Sequence, residues 1–232
     1  MKQINRTTFL VVFFILVFIE TVVANFEGLQ ILHYISKPLI VSSLLFYFIS
    51  NNTHLNKQTI TFTVLALIFS ILGDVLLLFV CRLEHFFIAG LLSFLIAHIM
   101  YILVFFKKRN QKSKPYGFII LLVLYALGLF SLLQSRLGDL LAPVFIYMCV
   151  ILLMSIFAFL RRGMVHSSSF NLVFAGAVLF MVSDSLLAIN KFYTSLYFAD
   201  FGIMFTYALA QLLLVFGLLK QGSLSVKSAN KL

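Results

Sequence analysis

Long apolar runs separated by short polar connections dominate the chain. Eight runs are long enough to cross a bilayer, and the connections between them are only about 5 to 12 residues long. The runs cover about 7–25, 37–50, 59–80, 86–106, 116–134, 140–160, 170–189 and 201–219. The second run is short and begins beside Pro38, a residue suited to the first turn of a helix. This pattern predicts an all-α, polytopic membrane protein with eight transmembrane helices in a single domain over residues 1–232.

The composition supports a membrane protein and excludes several other classes. The chain is 62% hydrophobic and 10% charged, with a mean hydropathy of +1.11, and no stretch is left for a soluble domain. The formal net charge of +10 has no folded basic surface on which to bind nucleic acid, so no nucleic-acid partner is expected. Cys81 and Cys149 fall in separate runs without the spacing of a metal or redox motif, and no cofactor is expected.

Basic residues are concentrated on one predicted side of the membrane. With eight spans, thirteen Lys and Arg residues share the side of both termini, against four on the other side. The thirteen are Lys2, Arg6, Lys57, Lys107, Lys108, Arg109, Lys112, Lys114, Arg161, Arg162, Lys220, Lys227 and Lys231. The four are Lys37, Arg82, Arg136 and Lys191, which Glu27, Glu84, Asp139 and Asp200 offset. The asymmetry predicts a cell-membrane protein with cytoplasmic N- and C-termini.

Two segments near this predicted cytoplasmic side have further interpretations. The basic stretch KKRNQKSKP at 107–115 is a topology determinant that we expect to contact anionic lipid.

An alternative interpretation of the N-terminus is a cleaved signal peptide, because basic residues precede an apolar run that ends near Val22, Val23 and Ala24. Its removal would leave seven spans and weaken the charge asymmetry.

Three acidic residues lie inside predicted spans, where an isolated charge costs about 2.5 to 3.5 kcal/mol on insertion scales. Glu20, Asp74 and Asp184 each lie about five or six positions before the end of a run that leads outward. At 1.5 Å per residue, all three are expected at one depth, roughly 8 to 10 Å below the outer boundary. A structural role for Glu20, paired with Lys37, is the simpler interpretation. For Asp74 and Asp184 a functional role is favoured.

Further polar residues are predicted near this layer. Lys37 is expected to begin an inward helix, and Lys191 lies seven residues after Asp184, two helical turns along the same face, with the Asn190 amide beside it. Both lysines are also typical of ordinary interfacial residues.

The fourth run contributes two polar residues on a helical stripe. His98 and Tyr101 are the polar members of this stripe, and they are expected to lie somewhat deeper than the carboxyl groups. The apolar members are Leu91, Phe94 and Phe105. His98 is equally consistent with a side chain that only bonds a backbone carbonyl of a neighbouring helix.

Two pairs of short segments suggest an internal repeat. GDVLL at 73–77 resembles SDSLL at 183–187, and FLIAH at 94–98 resembles YALAQ at 207–211. A parallel repeat of four helices plus four would bring Asp74 and Asp184 to related positions about a central axis.

Two carboxyl groups that approach each other in this layer are suited to acid/base chemistry, because both cannot readily be ionised. A neutral acid and a carboxylate together fit hydrolysis through an oxocarbenium-like state. Lysines nearby would bind a phosphate, and apolar walls would hold a chain. The implied substrate is a lysophospholipid-like amphiphile that enters from the bilayer.

The sequence also resembles the YhhN family of eight-span membrane proteins, whose characterised members are lysoplasmalogenases. The resemblance extends over nearly the whole chain, in the expected order. Its segments are KPL at 37–39, LGD at 72–74, GLLSFLIAHIMY at 90–101, GAVLFMVSDSLLAINKF at 176–192 and YALAQ at 207–211. The resemblance implies hydrolysis of the vinyl ether bond of a lysoplasmalogen, giving a fatty aldehyde and a glycerophospho head group.

With that reaction, Asp74 and Asp184 are the expected catalytic pair, and either is suited to be the acid. His98, Tyr101 and Asn190 would orient water or a carboxyl group. Lys37 and Lys191 would face the phosphate, and no metal is expected.

Other classes fit the sequence less well. An intramembrane aspartyl protease would carry Gly-x-Gly-Asp, whereas residues 71–74 read ILGD and no Pro-Ala-Leu follows. A zinc lipid hydrolase needs several intramembrane His ligands, and only His98 qualifies. A proton-coupled transporter or lipid-binding scaffold is the stronger alternative, because carboxyl groups in membranes also relay protons.

Overall fold

The structure is a computed structural model that describes residues 3–26, 28–80, 83 and 85–221. Several residues of the predicted charge asymmetry lie outside the described residues. They are Lys2, Glu27, Arg82, Glu84, Lys227 and Lys231, together with Cys81.

Eight long α-helices form the described part of the chain. They are α1 (Arg6–Val23), α2 (Gln30–Asn51), α3 (Lys57–Leu77), α4 (His85–Phe106), α5 (Tyr116–Leu133), α6 (Leu141–Phe159), α7 (Ser167–Ala188) and α8 (Ala199–Leu219). Two short 3₁₀ turns connect α5 to α6, and a π-helical turn, Ile189–Tyr193, extends α7. All eight are long and apolar enough to span a membrane, which confirms the predicted fold class.

The second helix differs from its prediction. It begins at Gln30, seven residues earlier than expected, and Pro38 lies inside it instead of in its first turn. Polar residues in the first two turns of α2 lower the local hydropathy, so an apolar pattern alone could not find them. Inside the helix, Pro38 supplies no N–H to the carbonyl group of Tyr34, one turn earlier.

The helices pack as a ring with one helix outside it. The most extensive contacts join α7 to α8 and α3 to α4, and further contacts run from α1 through α2, α3, α4, α6, α7 and α8 back to α1. The α5 helix packs mainly on α6. Its outer residues Ile120, Leu121, Leu124 and Leu127 are exposed, as expected for a helix that faces lipid.

Glycines allow close packing in the two helix pairs with the most extensive contacts, α3 with α4 and α7 with α8. A Cβ atom on Gly73 of α3 would lie 2.6 Å from the Phe94 ring of α4, and one on Gly176 of α7 would lie 2.9 Å from the Ala210 carbonyl oxygen of α8. Such close approach is the usual role of small residues in membrane helix packing. These pairs carry the motifs of the suggested repeat, but the repeat itself stays a prediction.

Candidate active site

A polar cavity opens at one end of the bundle, where α1, α3 and α7 end and α2 and α8 begin. It encloses about 790 Å³ of non-atom space, including its open mouth. Its polar lining consists of Glu20, His33, Lys37, Asp74, Ser183, Asp184, Asn190, Asp200 and Tyr207. The structure therefore brings both predicted catalytic carboxyl groups, Lys37 and Asn190 to one cavity.

Asp74 lies in the last turn of α3 and is almost completely buried, with 1% of its surface exposed. The hydroxyl group of Tyr207, on α8, donates a hydrogen bond of 2.9 Å to Asp74 Oδ2. Gly73 lets the Phe94 ring pack directly against α3 beside the carboxyl group. Asp74 thus has a fixed orientation, with one hydroxyl donor and an aromatic wall.

Asp184 lies one turn before the end of α7, and its side chain is 16% exposed. The Tyr147 hydroxyl group, on α6, donates a short hydrogen bond of 2.5 Å to Asp184 Oδ2. Nε2 of His98 is 3.8 Å from the same oxygen, too far for a direct hydrogen bond. Asp184 therefore contacts groups from α4 and α6, in a more open position than Asp74.

The His98 ring is completely buried and packs edge-on against Tyr147 and Phe180. Within the described residues, neither ring nitrogen of His98 has a hydrogen-bond partner. His98 is not among the residues that line the polar cavity; it lies behind Asp184. His98 is therefore a buried imidazole next to a carboxyl group to which it makes no direct hydrogen bond.

Tyr101 does not reach either predicted catalytic carboxyl group. Its hydroxyl group donates to Gln211 Oε1 at 2.7 Å, and Gln211 Nε2 donates to Ser70 Oγ at 2.9 Å. This buried network joins α4, α8 and α3 one turn below Asp74. Tyr101 thus contributes to the packing of the helices that carry the site.

Glu20 is buried among partners from α2. The Ser36 hydroxyl group donates to Glu20 Oε2 at 2.5 Å, and His33 Nδ1 lies 3.0 Å from Oε1. The sequence analysis paired Glu20 with Lys37 instead, because it placed the start of α2 at that lysine. The earlier start of the helix supplies two closer polar partners, and Lys37 remains at the cavity.

Lys37 lies deeper than predicted. Since α2 begins at Gln30, Lys37 is seven residues into the helix, roughly 10 Å along its axis. Its ammonium group therefore shares the layer of the carboxyl groups instead of bordering it from above. An ammonium ion at this depth is one expected to have a function or a specific partner.

Lys191 is placed differently from its prediction. It is exposed and its Nζ atom lies over the Phe87 ring, 5.5 Å from the ring centroid, and it does not line the polar cavity. The cause is the π-helical turn at Ile189–Tyr193, whose extra residue per turn breaks the α-helical spacing from Asp184. Asn190 lines the cavity instead, and its Oδ1 accepts a hydrogen bond from the Leu196 N–H at 2.9 Å.

The hydroxyl partners of the two carboxyl groups, Tyr147 and Tyr207, were missed by the sequence analysis. A tyrosine within an apolar run is usually read as packing. Tyr207 carried one signal: it begins the YALAQ segment that matched the surroundings of His98.

No group of three or more His, Cys, Asp or Glu side chains in the described part of the chain is arranged to hold a metal ion.

A second buried charge lies at the other end of the bundle. Arg161 follows α6 and is completely buried, with its Nη2 donating to Gln221 Oε1 at 2.6 Å and to Ser169 Oγ at 3.3 Å. Burial lowers the pKa of Arg161 to about 9. In the unfolded chain the Arg161 guanidinium group has its ordinary, higher pKa and stays protonated above pH 9. The folded protein therefore binds fewer protons than the unfolded chain above about pH 9, and Arg161 makes the free energy of unfolding rise with pH there.

Fold and site together define an eight-helix membrane protein with a carboxyl-rich cavity at one end of its helix bundle. The chain belongs to the YhhN family, whose sequence profile matches residues 32–218, and this confirms the resemblance. The chain is also similar to the lysoplasmalogenase TMEM86B of Homo sapiens, at 32% identity over 157 residues. That match covers 67% of this chain and 62% of the relative, so it spans less than two thirds of the relative's length. No solved structure matches the chain.

Proposed function

We propose that this protein hydrolyses the vinyl ether bond of a lysoplasmalogen, or of a related ether lysolipid, with Asp74 and Asp184 as its acid/base pair. One observation carries the proposal. Two carboxyl groups from different helices line a single cavity that also contains an ammonium group, in a membrane protein similar to a lysoplasmalogenase. Each carboxyl group is oriented by one tyrosine hydroxyl group.

The chemistry needs one neutral carboxyl group and one carboxylate. The neutral acid transfers its proton to the vinyl carbon distal to the ether oxygen, and the carbon bonded to that oxygen becomes an oxocarbenium centre. The carboxylate stabilises this cation and accepts a proton from the water that attacks it. The resulting hemiacetal breaks its bond to the glycerol oxygen, releasing a fatty aldehyde and a free hydroxyl group.

Lys37 supplies the phosphate contact in this proposal. It is the ammonium group that lines the cavity, at the depth of the carboxyl groups. Because a phosphate contact is the same before and during the reaction, Lys37→Met is expected to raise KM with little change in kcat. Asn190, whose carbonyl oxygen is engaged by Leu196, keeps amide N–H groups to orient water or substrate.

The direct test is aldehyde release from lysoplasmalogen by the purified protein. Asp74→Asn and Asp184→Asn are each expected to lower kcat by at least about a hundredfold, because each removes a proton-transfer group. Asp139→Asn, outside the cavity, is the matched control and should retain activity. Full activity in both cavity variants would disprove the acid/base pair.

The proposal includes a location. The positive-inside asymmetry supports cytoplasmic termini and a cavity in the outer half of the cell membrane, with the basic 107–115 segment near anionic lipid. In a background without Cys81 and Cys149, Ser195→Cys should react with a membrane-impermeant thiol reagent on intact cells. Gln111→Cys should react only after lysis. The reverse pattern would place the cavity in the cytoplasmic half.

A second candidate is a proton-coupled transporter of a small molecule or lipid. Two helix irregularities favour it: Pro38 within α2, beside Lys37, and the π-helical turn beside Asn190. Transporters commonly interrupt helices at their binding sites. Reconstituted vesicles separate the two functions, since a transporter accumulates intact substrate in response to a pH gradient, whereas the hydrolase produces aldehyde without one.

A further inference from the structure

Two apolar pockets adjoin Asp184 in addition to the polar cavity. The first, called here the α4–α7 pocket, encloses about 440 Å³ including its open side. Its apolar lining includes Leu77, Phe87, Leu91, Val144, Leu187 and Phe192. The second, the α5–α7 pocket, encloses about 490 Å³ between α5, α6 and α7, and Leu129, Met148 and Leu152 are among its lining residues.

The α4–α7 pocket adjoins the polar cavity more closely than the α5–α7 pocket does. Leu77, Phe94, Asp184 and Leu187 line both the cavity and the α4–α7 pocket. Asp184 alone, among the described residues, lines both the cavity and the α5–α7 pocket. The α4–α7 pocket is therefore the better placed of the two for the chain of an amphiphile whose head group is in the cavity.

Two aromatic rings in the lining of the α4–α7 pocket contact each other. Phe87 of α4 and Phe192 of the π-helical turn meet edge to face, with centroids 5.6 Å apart. The Lys191 ammonium group lies over the Phe87 ring, and Lys191 is not a lining residue of the pocket. The π-helical turn thus contributes Phe192 to the pocket wall and leaves Lys191 outside it.

We infer that the α4–α7 pocket binds the hydrocarbon chain of the substrate and sets its chain-length preference, with Leu91 as a specificity-determining residue. The inference rests on the proposed function, and it places the head group at Lys37 and the scissile bond beside Asp184. The pocket suits a chain because its lining is apolar except at Tyr147 and at Asp184, and Asp184 also lines the polar cavity.

The first experiment measures the chain-length profile of aldehyde release. Leu91 lines the α4–α7 pocket but not the polar cavity, so its substitution changes pocket volume without touching the carboxyl groups. Leu91→Trp should lower kcat/KM for long chains relative to short ones by about tenfold or more, and Leu91→Ala should shift the preference toward longer chains. Met148→Trp, in the α5–α7 pocket, should keep the wild-type profile.

The second experiment does not depend on catalysis. Because the chain contains no tryptophan, Leu91→Trp, Met148→Trp and Leu124→Trp each introduce a single fluorophore. The probe is a short-chain saturated 1-O-alkyl lysophosphatidylcholine with bromine atoms on its chain. It has no vinyl ether to hydrolyse, and its chain is within the length range that Leu91→Trp is expected to accept. Leu91→Trp should show saturable quenching. Leu124→Trp, on the exposed face of α5, should show only the linear quenching that accompanies partition of the probe.

These readouts distinguish the two proposals. Saturable quenching for Leu91→Trp without aldehyde release by the wild-type protein would support the chain pocket and reject the hydrolase. Aldehyde release with unchanged chain-length profiles in both Leu91 variants, and linear quenching at Leu91→Trp, would reject the pocket and keep the hydrolase. Saturable quenching at Met148→Trp alone would assign the chain to the α5–α7 pocket and overturn the inference.

Discussion

Asp74 and Asp184 occupy similar sequence motifs on α3 and α7 but have different surroundings. Asp74 is 1% exposed, has Tyr207 of α8 as its hydroxyl donor, and faces one cavity. Asp184 is 16% exposed, accepts a shorter hydrogen bond from Tyr147 of α6, and lies where three cavities meet. An acid/base pair requires two carboxyl groups of unequal proton affinity, and unequal surroundings are how a protein makes identical side chains differ.

The difference extends to the residue before each carboxyl group. Gly73 lets Phe94 pack against α3, whereas the Ser183 hydroxyl group donates to the Ile203 carbonyl oxygen at 2.9 Å. Phe94 also lines both the polar cavity and the α4–α7 pocket. The Asp74 and Asp184 segments therefore have similar sequences, but their side chains contact different groups.

The largest difference between the Asp74 and Asp184 surroundings is expected in the loss of kcat when each tyrosine hydroxyl donor is removed. Tyr147→Phe and Tyr207→Phe each delete one hydrogen bond to a carboxyl group, worth about 1.5 to 3 kcal/mol when the acceptor is ionised, or roughly tenfold to a hundredfold in rate. Tyr147→Phe should have the greater effect on kcat, because Asp184 is the more open of the two carboxyl groups and His98 is too distant to replace the lost bond. Equal losses in both variants would show that the two carboxyl groups are held equivalently.

A smaller difference is expected in the free energy of unfolding when the residue before each carboxyl group, Gly73 or Ser183, is replaced by alanine. Gly73→Ala should lower the free energy of unfolding by about 1 to 3 kcal/mol, because the added methyl group overlaps the Phe94 ring. Ser183→Ala removes one hydrogen bond and should cost only about 1 kcal/mol. Reversible unfolding in mixed micelles measures both. A harmless Gly73→Ala would mean that α3 and α4 can separate without loss of stability.

The smallest difference in the free energy of unfolding is expected between variants of Gln211 and His98, which occupy matching positions of the suggested repeat. Gln211→Leu deprives Tyr101 and Ser70 of their partner and should cost roughly 1 kcal/mol in total, because such bonds in membrane proteins average about 0.6 kcal/mol each. His98→Phe should leave the free energy of unfolding nearly unchanged, since neither ring nitrogen is hydrogen-bonded in the described structure. A large loss of stability in His98→Phe would indicate a polar contact at that ring.

Hydropathy was sufficient to predict the eight helices, because each apolar run is long and the bilayer sets the required length. It failed at the start of α2. His33 and Ser36 interrupt the apolar pattern there because they bind Glu20 in the cavity wall. The polar residues that form the site thus obscured the helix that carries them.

The sequence also predicted one layer for Glu20, Asp74 and Asp184 by counting residues from the helix ends, and all three line the polar cavity. It could not predict the position of Lys191, because a π-helical turn leaves no hydropathy signal. Nor could it select Tyr147 or Tyr207 from nine tyrosines, because a hydrogen bond between helices depends on packing that the sequence does not display. The single domain and the catalytic roles of these residues stay predictions.

The π-helical turn has a consequence for how this protein family could diversify. An α-helix with one residue inserted accommodates it as such a turn, and deleting that residue restores regular spacing. Shortening the 189–193 segment by its first residue would move Lys191 into the place that Asn190 now takes at the cavity wall. A change in chain length alone, without any substitution, would then exchange an amide for a cation in the wall of the polar cavity.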